Sequence, residues 1–291
     1  MRRGHRDWPL LLEEINTPPP RLWITGDVSA LARPAVAIVG TRRATARGLA
    51  LARGLGRALA LRGWCVVSGL AAGVDAAAHL GAVEVGGPTV AVMATGWDRT
   101  YPRENAGLRR RIEAVGCCVT EFEAGFAPCR NHFPRRNRII AGLSRGVVVV
   151  EAPWRSGAIN TAQHAADTGR EVFAVPGPVE RGHYRGCHRL LRDGAQLLEG
   201  PEDVDRVLGA LAPAALAEQT SPDREPDAGS AARWILDRID LDGVPRDTLH
   251  QSWPGTEDMW CAGLMELEMG GLIRRLPGGR LARTIWTFQA D

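Results

Sequence analysis

Short apolar runs alternate with longer segments of helical periodicity through the first two thirds of the chain. The runs lie at residues 35–40, 64–69, 89–96, 117–122, 146–152 and 171–177. Several are almost continuously apolar, which is typical of strands buried on both faces of a sheet. Between the first two runs, Leu49, Ala52, Leu55 and Leu59 recur at helical spacing. This alternation predicts an α/β fold whose core is a Rossmann-like, doubly wound and mostly parallel sheet.

The sequence changes character near residue 213. Residues 213–230 are rich in Pro, Ala, Ser and acidic side chains and lack an apolar period, which is typical of a linker. Three helical patterns follow at 231–240, 246–252 and 256–270, and then a hairpin at 273–283 that turns at Pro277-Gly278-Gly279. We therefore expect a short N-terminal extension at 1–33, the Rossmann-like core at 34–212, the linker at 213–230 and a small winged-helix domain at 231–291.

The cationic side chains of this 291-residue chain are all arginine, and the formal net charge is +3. Arginine presents a planar fork that binds phosphate bidentately or stacks on a base. The six cysteines form no CxxC pair and do not cluster with the histidines, so neither a metal nor another cofactor is expected. No apolar run approaches the ~20 residues of a membrane helix, and no apolar segment follows the basic N-terminus. We expect a cytoplasmic protein without a membrane span.

Small and cationic residues follow the first run, where a strand should turn into a helix. They are Gly40, Thr41, Arg42, Thr45 and Gly48. Ligands bind at the carboxyl ends of strands in open α/β sheets, and the free N–H groups of a helix N-terminus attract phosphate. Arg42 adds a charge-assisted fork, and Thr45 is placed to cap the helix. The GxGxxG motif is incomplete, which weakens an NAD role; a plain turn with surface arginines is the alternative.

The next strand end again carries small residues, namely Ser68, Gly69 and Gly73. Asp75 and His79 follow four residues apart, so they should share a helix face where they can hydrogen-bond. A ligand-binding role and a structural role for this pair stay equally open, and no nucleophile accompanies it to form a catalytic dyad.

The third strand end carries Tyr101, Arg103 and Asn105. Tyr101 could stack on a base and Arg103 could hold a phosphate. A structured turn in which Pro102 starts a helix is the alternative.

The most cationic stretch is residues 130–145, with five arginines and no acid, a local charge of +5. At its centre Phe133 precedes Arg135, Arg136 and Arg138. Rings that take bases beside guanidinium groups that take phosphates suit a single nucleic-acid strand, whereas a solvated charged face is the alternative. After the fifth run, Ser156 and Gly157 again offer small polar groups at a helix start.

The order and spacing of these segments resemble the DNA-processing protein A (Smf) family over roughly residues 22–203. The segments are GTRRATARG, SGLAAGVDAAAH, GWDRTYPREN, TEFEAG, FPRRNRIIAGLS, SGAINTAQHAADTGREVFAVPG and GAQLLEG. The resemblance implies an extended Rossmann fold that binds single-stranded DNA, forms a homodimer through that core and delivers the strand to RecA recombinase in natural transformation. It matches the family's strand-binding arginine to Arg42, its basic YP-x-x-N residue to Arg103, and its FP-x-RNR arginines to Arg136 and Arg138.

Three functions compete on the sequence. The favoured one is a binding protein that protects incoming single strands and loads the recombinase without turnover. The alternative is a nucleotide-binding or phosphoribohydrolase-type enzyme on a related core, a class that carries PGG-x-GT-x-x-E where this chain has Pro176-Gly177-Pro178. The third is a regulatory protein whose arginine-rich turns face other proteins.

The predicted winged-helix domain carries more acidic residues than a domain that binds the DNA major groove would be expected to have. Residues 231–291 hold seven Arg against nine Asp and Glu, and the segment 256–270 has four acids and no base. Because phosphate repels such a helix, we expect this domain to contact proteins rather than read the major groove.

Overall fold

The computed structural model describes residues 1–180, 182–211, 230–269 and 271–284. The chain divides into two compact units, residues 1–217 and 218–291. The division falls inside the predicted linker, which lies outside the described residues except for Ser230. No helix in the described ranges is long and apolar enough to cross a membrane.

The first unit is built on an eight-stranded sheet within its described residues. Its strands are β1 (Trp23–Gly26), β2 (Ala35–Val39), β3 (Cys65–Ser68), β4 (Thr89–Val92), β5 (Cys117–Thr120), β6 (Gly146–Val149), β7 (Glu171–Ala174) and β8 (Gln196–Leu197). Its helices are α1 (Leu10–Glu13), α2 (Ala46–Leu61), α3 (Val74–Glu84), α4 (Ala106–Val115), α5 (His132–Gly142), α6 (Gly157–Ala166), α7 (Arg185–Arg192) and α8 (Glu202–Leu208), with short 3-10 turns at Val28–Ala32, Arg103–Asn105 and Gly182–Tyr184.

The strand order is β1-β5-β4-β3-β2-β6-β7-β8, and only β1 runs antiparallel to its neighbour among these strands. The chain builds outward from β2 to β5 and then crosses back to place β6 on the other side of β2. The carboxyl ends of β2 and β6 are therefore the topological switch point, where open α/β sheets bind their ligands. The predicted doubly wound sheet is confirmed.

Helices cover both faces of this sheet, which explains why β2 to β6 are buried along their whole length. One layer contains α2, α3 and α4, and the other contains α5 and α6 with α1 against α5. Alternate residues of β2, such as Ala37 and Val39, join Ile139 of α5 and Ala158 of α6 in the largest apolar cluster.

The segment 1–33 is part of this unit rather than a separate extension. Its side chains Trp8, Leu12, Ile15 and Leu22 are buried in the main apolar cluster, and β1 pairs with β5 at the edge of the sheet. The apolar residues of this segment follow neither a helical nor a strand period, so the sequence alone did not predict that they pack into the core.

The second unit contains helices and a small antiparallel sheet in its described residues. Its helices are α9 (Ala231–Leu236), α10 (Arg246–Gln251) and α11 (Glu257–Met269), and its strands are β9 (Val244–Pro245), β10 (Ile273–Leu276) and β11 (Arg280–Arg283). The predicted hairpin is confirmed, because β10 pairs with β11 and β9 adds a third antiparallel strand. Ile235, Leu249, Trp260 and Leu281 form a core of its own.

Candidate nucleic-acid interface

The loops after β2 and β6 line an open cleft at the switch point, with an empty volume of about 890 Å³. Gly40, Thr41 and Arg42 come from the first loop, and Ser156 and Gly157 come from the second. The two loops are joined directly, because the Thr41 N–H donates to the Glu151 carbonyl oxygen at 2.7 Å. We call this space the switch-point cleft. It brings together residues that lie more than one hundred positions apart in the sequence.

Arg42 and Phe133 form the cationic and aromatic wall of the cleft. The Arg42 guanidinium carbon lies 4.4 Å from the centre of the Phe133 ring, a cation–π contact. The Phe133 ring centre lies 5.7 Å from that of Tyr101, whose side chain is 45% exposed. Both rings line an adjoining pocket beside Gly69. A guanidinium group and two accessible rings therefore face the same open space.

Two further arginines line the cleft that sequence reasoning did not select. Arg43 follows Arg42 in the same turn, and Arg155 precedes Ser156 in the loop after β6. Both side chains are exposed, and neither forms an ion pair within the part of the chain that the structure describes. Each lies in the sequence beside a strand end with small residues, and that position could have indicated that they line the cleft. The cleft is consequently more cationic than the sequence-based selection indicated.

The N-terminus of α2 is closed to a phosphate, contrary to our expectation. The buried carboxylate of Glu151 accepts hydrogen bonds from the Thr45 N–H at 3.2 Å and from the Thr45 hydroxyl at 2.8 Å. A Cβ at Gly48 would lie only 2.0 Å from the same carboxylate. Thr45 caps the helix through the Gly48 N–H, as predicted. The Glu151 side chain, from the loop after β6, thus occupies the place where a ligand anion was expected.

The N-terminus of α6 is open instead. Ser156 has the extended conformation of a capping residue, yet its side chain makes no capping bond, so the first N–H groups of α6 have no side-chain acceptor. Gly157 is exposed beside them, and both residues line the cleft. Helix N-termini of this kind attract phosphate. The anion site that the sequence assigned to α2 is therefore available at α6.

The turn after β3 is held by a buried arginine, which corrects the prediction that Arg136 contacts a strand directly. Arg136 is only 4% exposed, and its guanidinium donates to the carbonyl oxygens of Gly69, at 2.6 Å, and Val92. A Cβ at Gly69 would lie 2.4 Å from this group. Burial lowers the pKa of Arg136 to about 10, and nearby Asp75 counters that shift. The side chain supports the cleft from below and stays charged at neutral pH.

The sequence suggested a hydrogen bond between Asp75 and His79, but in the structure each side chain has a different partner. The Asp75 carboxylate accepts from the Gly69 N–H at 3.1 Å, and burial raises its pKa while the Arg136 guanidinium lowers it. The Thr89 hydroxyl donates to the Val66 carbonyl oxygen, so the His79 Nδ1–H donates to that hydroxyl at 2.7 Å. Burial lowers the pKa of His79 to about 3, which keeps the ring neutral. Both side chains thus have hydrogen-bond partners within the protein.

Three other residues that the sequence analysis named as candidates for binding make contacts that stabilise the core or the turns. The Ser68 hydroxyl donates to the Ile38 carbonyl oxygen in the core. Gly73 has φ of +82°, and a Cβ there would lie 2.3 Å from the Thr41 carbonyl oxygen. The Asn105 side-chain amide donates to the Leu70 carbonyl oxygen at 2.9 Å. These bonds fix neighbouring turns against each other, whereas Arg103 remains exposed.

The local charge of +5 at residues 130–145 does not form one surface. Arg135 and Arg138 both pair with the buried carboxylate of Glu121, at 2.8 and 2.6 Å. Arg136 is buried, and Arg145 precedes β6 at the opposite edge of the sheet. Sequence spacing along a helix could not show that one acid from the previous strand end would pair with two of these cations and offset one of their charges. Of the five arginines, Arg130, Arg135 and Arg145 are exposed, and Arg145 lies at the opposite end of the strands.

The fold and the switch-point cleft define a Rossmann-like α/β protein with an open, cationic and aromatic ligand site. The chain belongs to the DNA recombination-mediator protein A family, whose model matches residues 1–209. It is 43% identical over 209 residues to Protein Smf of Synechocystis, covering 70% of this chain and 52% of that protein.

Two solved structures have the same fold. DNA processing protein A from Streptococcus pneumoniae is 40% identical with a TM-score of 0.68, covering 70% of this chain and 72% of that one. DNA processing protein A from Helicobacter pylori, whose single-stranded DNA binding mode has been described, is 31% identical with a TM-score of 0.64 and covers 69% and 92%.

Proposed function

We propose that this protein binds single-stranded DNA in the switch-point cleft and leaves the strand chemically unchanged. The observation that carries the proposal is the Arg42 guanidinium stacked 4.4 Å from the Phe133 ring at the mouth of an open cleft. Aromatic rings beside cations bind single strands with little sequence preference, because every base has a π-face and every nucleotide a phosphate. Family membership and the Helicobacter pylori relative support the same function.

The strand would be held by two kinds of contact. Bases would stack on Phe133 and Tyr101, which are adjacent and accessible. Phosphates would lie against exposed guanidinium groups and the open N-terminus of α6. The residues proposed for these contacts are Gly40, Thr41, Arg42, Arg43, Gly69, Tyr101, Arg103, Phe133, Arg155, Ser156 and Gly157.

Binding without turnover is favoured over the nucleotide-hydrolase alternative by the state of the acidic and basic groups. Asp75, His79 and Glu151 are buried, and each is committed to hydrogen bonds within the protein. Asp75 accepts from the Gly69 N–H, His79 bonds to the Thr89 hydroxyl of β4, and Glu151 accepts from Thr45. A general acid or base must reach the substrate atom with which it exchanges a proton. His79 and Glu151 are fully buried and do not line the cleft, and Asp75, which does, is only 6% exposed.

The decisive experiment is fluorescence anisotropy with a labelled single strand of about 16 nucleotides across a salt series. Arg42→Glu should weaken binding more than tenfold and reduce the salt slope by about 0.7, the value for one lost phosphate contact on a single strand. Arg33→Glu is the matched control, because Arg33 is exposed and precedes β2 at the opposite edge of the sheet. Equal binding by the two variants would contradict the proposed site. Release of free base from nucleoside monophosphates would instead support the enzyme.

We further propose that the bound strand is protected and passed to RecA recombinase in the cytoplasm, by a homodimer of the core. Support for a dimer comes from exposed apolar side chains at and after the last strands of the sheet: Leu197 of β8 is 46% exposed, and Val179, in the loop after β7, is 76% exposed. Light scattering should report twice the mass of one chain, and Leu197→Glu should reduce it toward one chain. Strand transfer is tested by whether the protein accelerates RecA filament growth on strands already covered by a single-strand-binding protein. Acceleration by Arg42→Glu as strong as that by wild type would contradict transfer from this cleft.

A further inference from the structure

Three exposed arginines follow one another away from the cleft, on the turn before α4 and on α4 itself. They are Arg103, Arg110 and Arg111, which we call the arginine ridge. Within the described residues none of their side chains forms an ion pair or a hydrogen bond. Some other exposed arginines of this unit have a carboxylate partner, as Arg53 has Glu84 and Arg189 has Asp193. The ridge is therefore a set of cations whose charge is not used within the protein.

The neighbouring Arg109 shows the contrast. Its guanidinium donates to the Trp97 and Arg99 carbonyl oxygens at 2.7 and 3.1 Å and pairs with Glu113 at 2.8 Å. Arg109 thus fixes the loop between β4 and α4 to the helix. One arginine of the run Arg109-Arg110-Arg111 anchors the loop, and the other two project into solvent.

The backbone between the ridge cations is accessible. Gly107 precedes Arg110 and Arg111 by three and four residues, so all three share one side of α4. A Cβ at Gly107 would have no atom within 4 Å. Arg103 and Arg110 are separated by roughly 11 Å along the axis, from the rise of one 3-10 turn and the start of an α-helix. An extended polyanion could follow this side with one cation near each end.

The ridge begins where the binding pocket ends. Tyr101 and Pro102 line the pocket that contains the Phe133 ring, and Arg103 is the next residue. The Asn105 amide ties this turn to the Leu70 carbonyl oxygen of the turn after β3. The exposed acid at this end is Glu104, which leaves the ridge and its surroundings with a net charge of +2.

We propose that single-stranded DNA leaving the switch-point cleft continues along the arginine ridge, with its phosphates against Arg110 and Arg111. This inference rests on the proposed function, because it adds a second segment to the same binding track. The bases beyond Tyr101 would face solvent, since the ridge offers cations but no ring. Contacts of this kind add affinity and salt dependence without sequence preference.

Two oligonucleotide lengths test the proposal by anisotropy with the full chain. One of about 6 nucleotides fills the cleft alone, and one of about 16 nucleotides also reaches the ridge. The double variant Arg110→Glu/Arg111→Glu should bind the short strand as wild type does. It should bind the long strand about tenfold more weakly at about 0.1 M salt, with a salt slope lower by about 1.4.

The matched control is Arg33→Glu/Arg145→Glu, which makes the same charge change beside the amino ends of β2 and β6. Circular dichroism and thermal unfolding establish that both double variants are folded. Equal affinity of both double variants for the long strand would overturn the ridge while leaving the cleft intact. An equal loss for both oligonucleotide lengths would also overturn it, because the ridge cations would then act on the cleft. Failure of wild type to bind either length would refute the proposed function itself.

Discussion

Two layers of charged and polar residues lie at the carboxyl edge of the sheet, and they differ in what their charges contact. The buried layer consists of Asp75, Arg136 and Glu151, whose polar groups bond to the turns after β2 and β3, together with buried His79, which bonds to the Thr89 hydroxyl of β4. The cleft surface consists of Arg42, Phe133, Arg155, Ser156 and Gly157, which meet solvent or each other. The first layer should govern stability and the second should govern binding.

The N-termini of α2 and α6 make this difference concrete. Both helices follow a strand at the switch point, and both begin with small polar residues. The Glu151 carboxylate accepts from the Thr45 N–H and hydroxyl at the start of α2, whereas Ser156 makes no capping bond at α6. A helix N-terminus therefore binds an external anion only where the protein has not supplied its own.

The largest expected effect comes from removing the buried cation. Arg136→Met should lower the free energy of unfolding by about 3 kcal/mol, because the Gly69 and Val92 carbonyl oxygens lose their donor and Asp75 loses its opposing charge. Urea denaturation gives this value. The neighbouring Arg135→Met is the control, since Arg135 is exposed and its ion pair should contribute less than about 1 kcal/mol. A similar decrease in the free energy of unfolding for both variants would show that the burial of Arg136 does not account for its contribution to stability.

The pH dependence of stability probes the same layer. The pKa of His79 falls from 6.5 in an unfolded chain to about 3 when buried, so below pH 6.5 the unfolded chain binds a proton that the folded chain does not. Stability from this residue is complete above pH 6.5 and decreases as the pH falls toward 3, by up to about 1.4 kcal/mol per pH unit. His79→Gln keeps a donor for Thr89 and should flatten that slope between about pH 4 and pH 6. An unchanged slope would show that other groups dominate acid unfolding.

The sequence predicted the alternating fold, the winged-helix arrangement and the position of the cleft, because these depend on local periodicity and on where strands end. It placed Arg42, Tyr101 and Phe133 at strand ends for the same reason. It could not show that Arg136 is buried or that Arg138 pairs with Glu121, because both depend on contacts from other parts of the sheet. The carboxylate of Glu151 reaches the N-terminus of α2 from more than one hundred residues away, and no local pattern shows that contact.

A binding effect of intermediate size should follow from closing α6 as α2 is closed. Ser156→Asp places a carboxylate at the N-terminus of α6 and should weaken single-strand binding about tenfold, since it occupies the N–H groups and repels phosphate. Ser156→Asn is the matched control, because it can cap the helix without charge. Both variants should be as stable as wild type or up to about 1 kcal/mol more stable. Equal binding by the two would mean that α6 does not hold a phosphate.

The smallest effect is expected from the second unit. Its α11 carries no cation, Arg275 pairs with Glu268 at 2.6 Å, and the Arg280 guanidinium donates to the Gly243 carbonyl oxygen. A chain ending at residue 211 should therefore bind a single strand within about twofold of the full chain, as measured by anisotropy at the same salt. A tenfold loss would show that the hairpin contributes to the strand-binding surface despite these internal contacts. A change of less than twofold would leave the cleft surface and the arginine ridge as the principal cationic track, with the acidic face of α11 available to a protein partner.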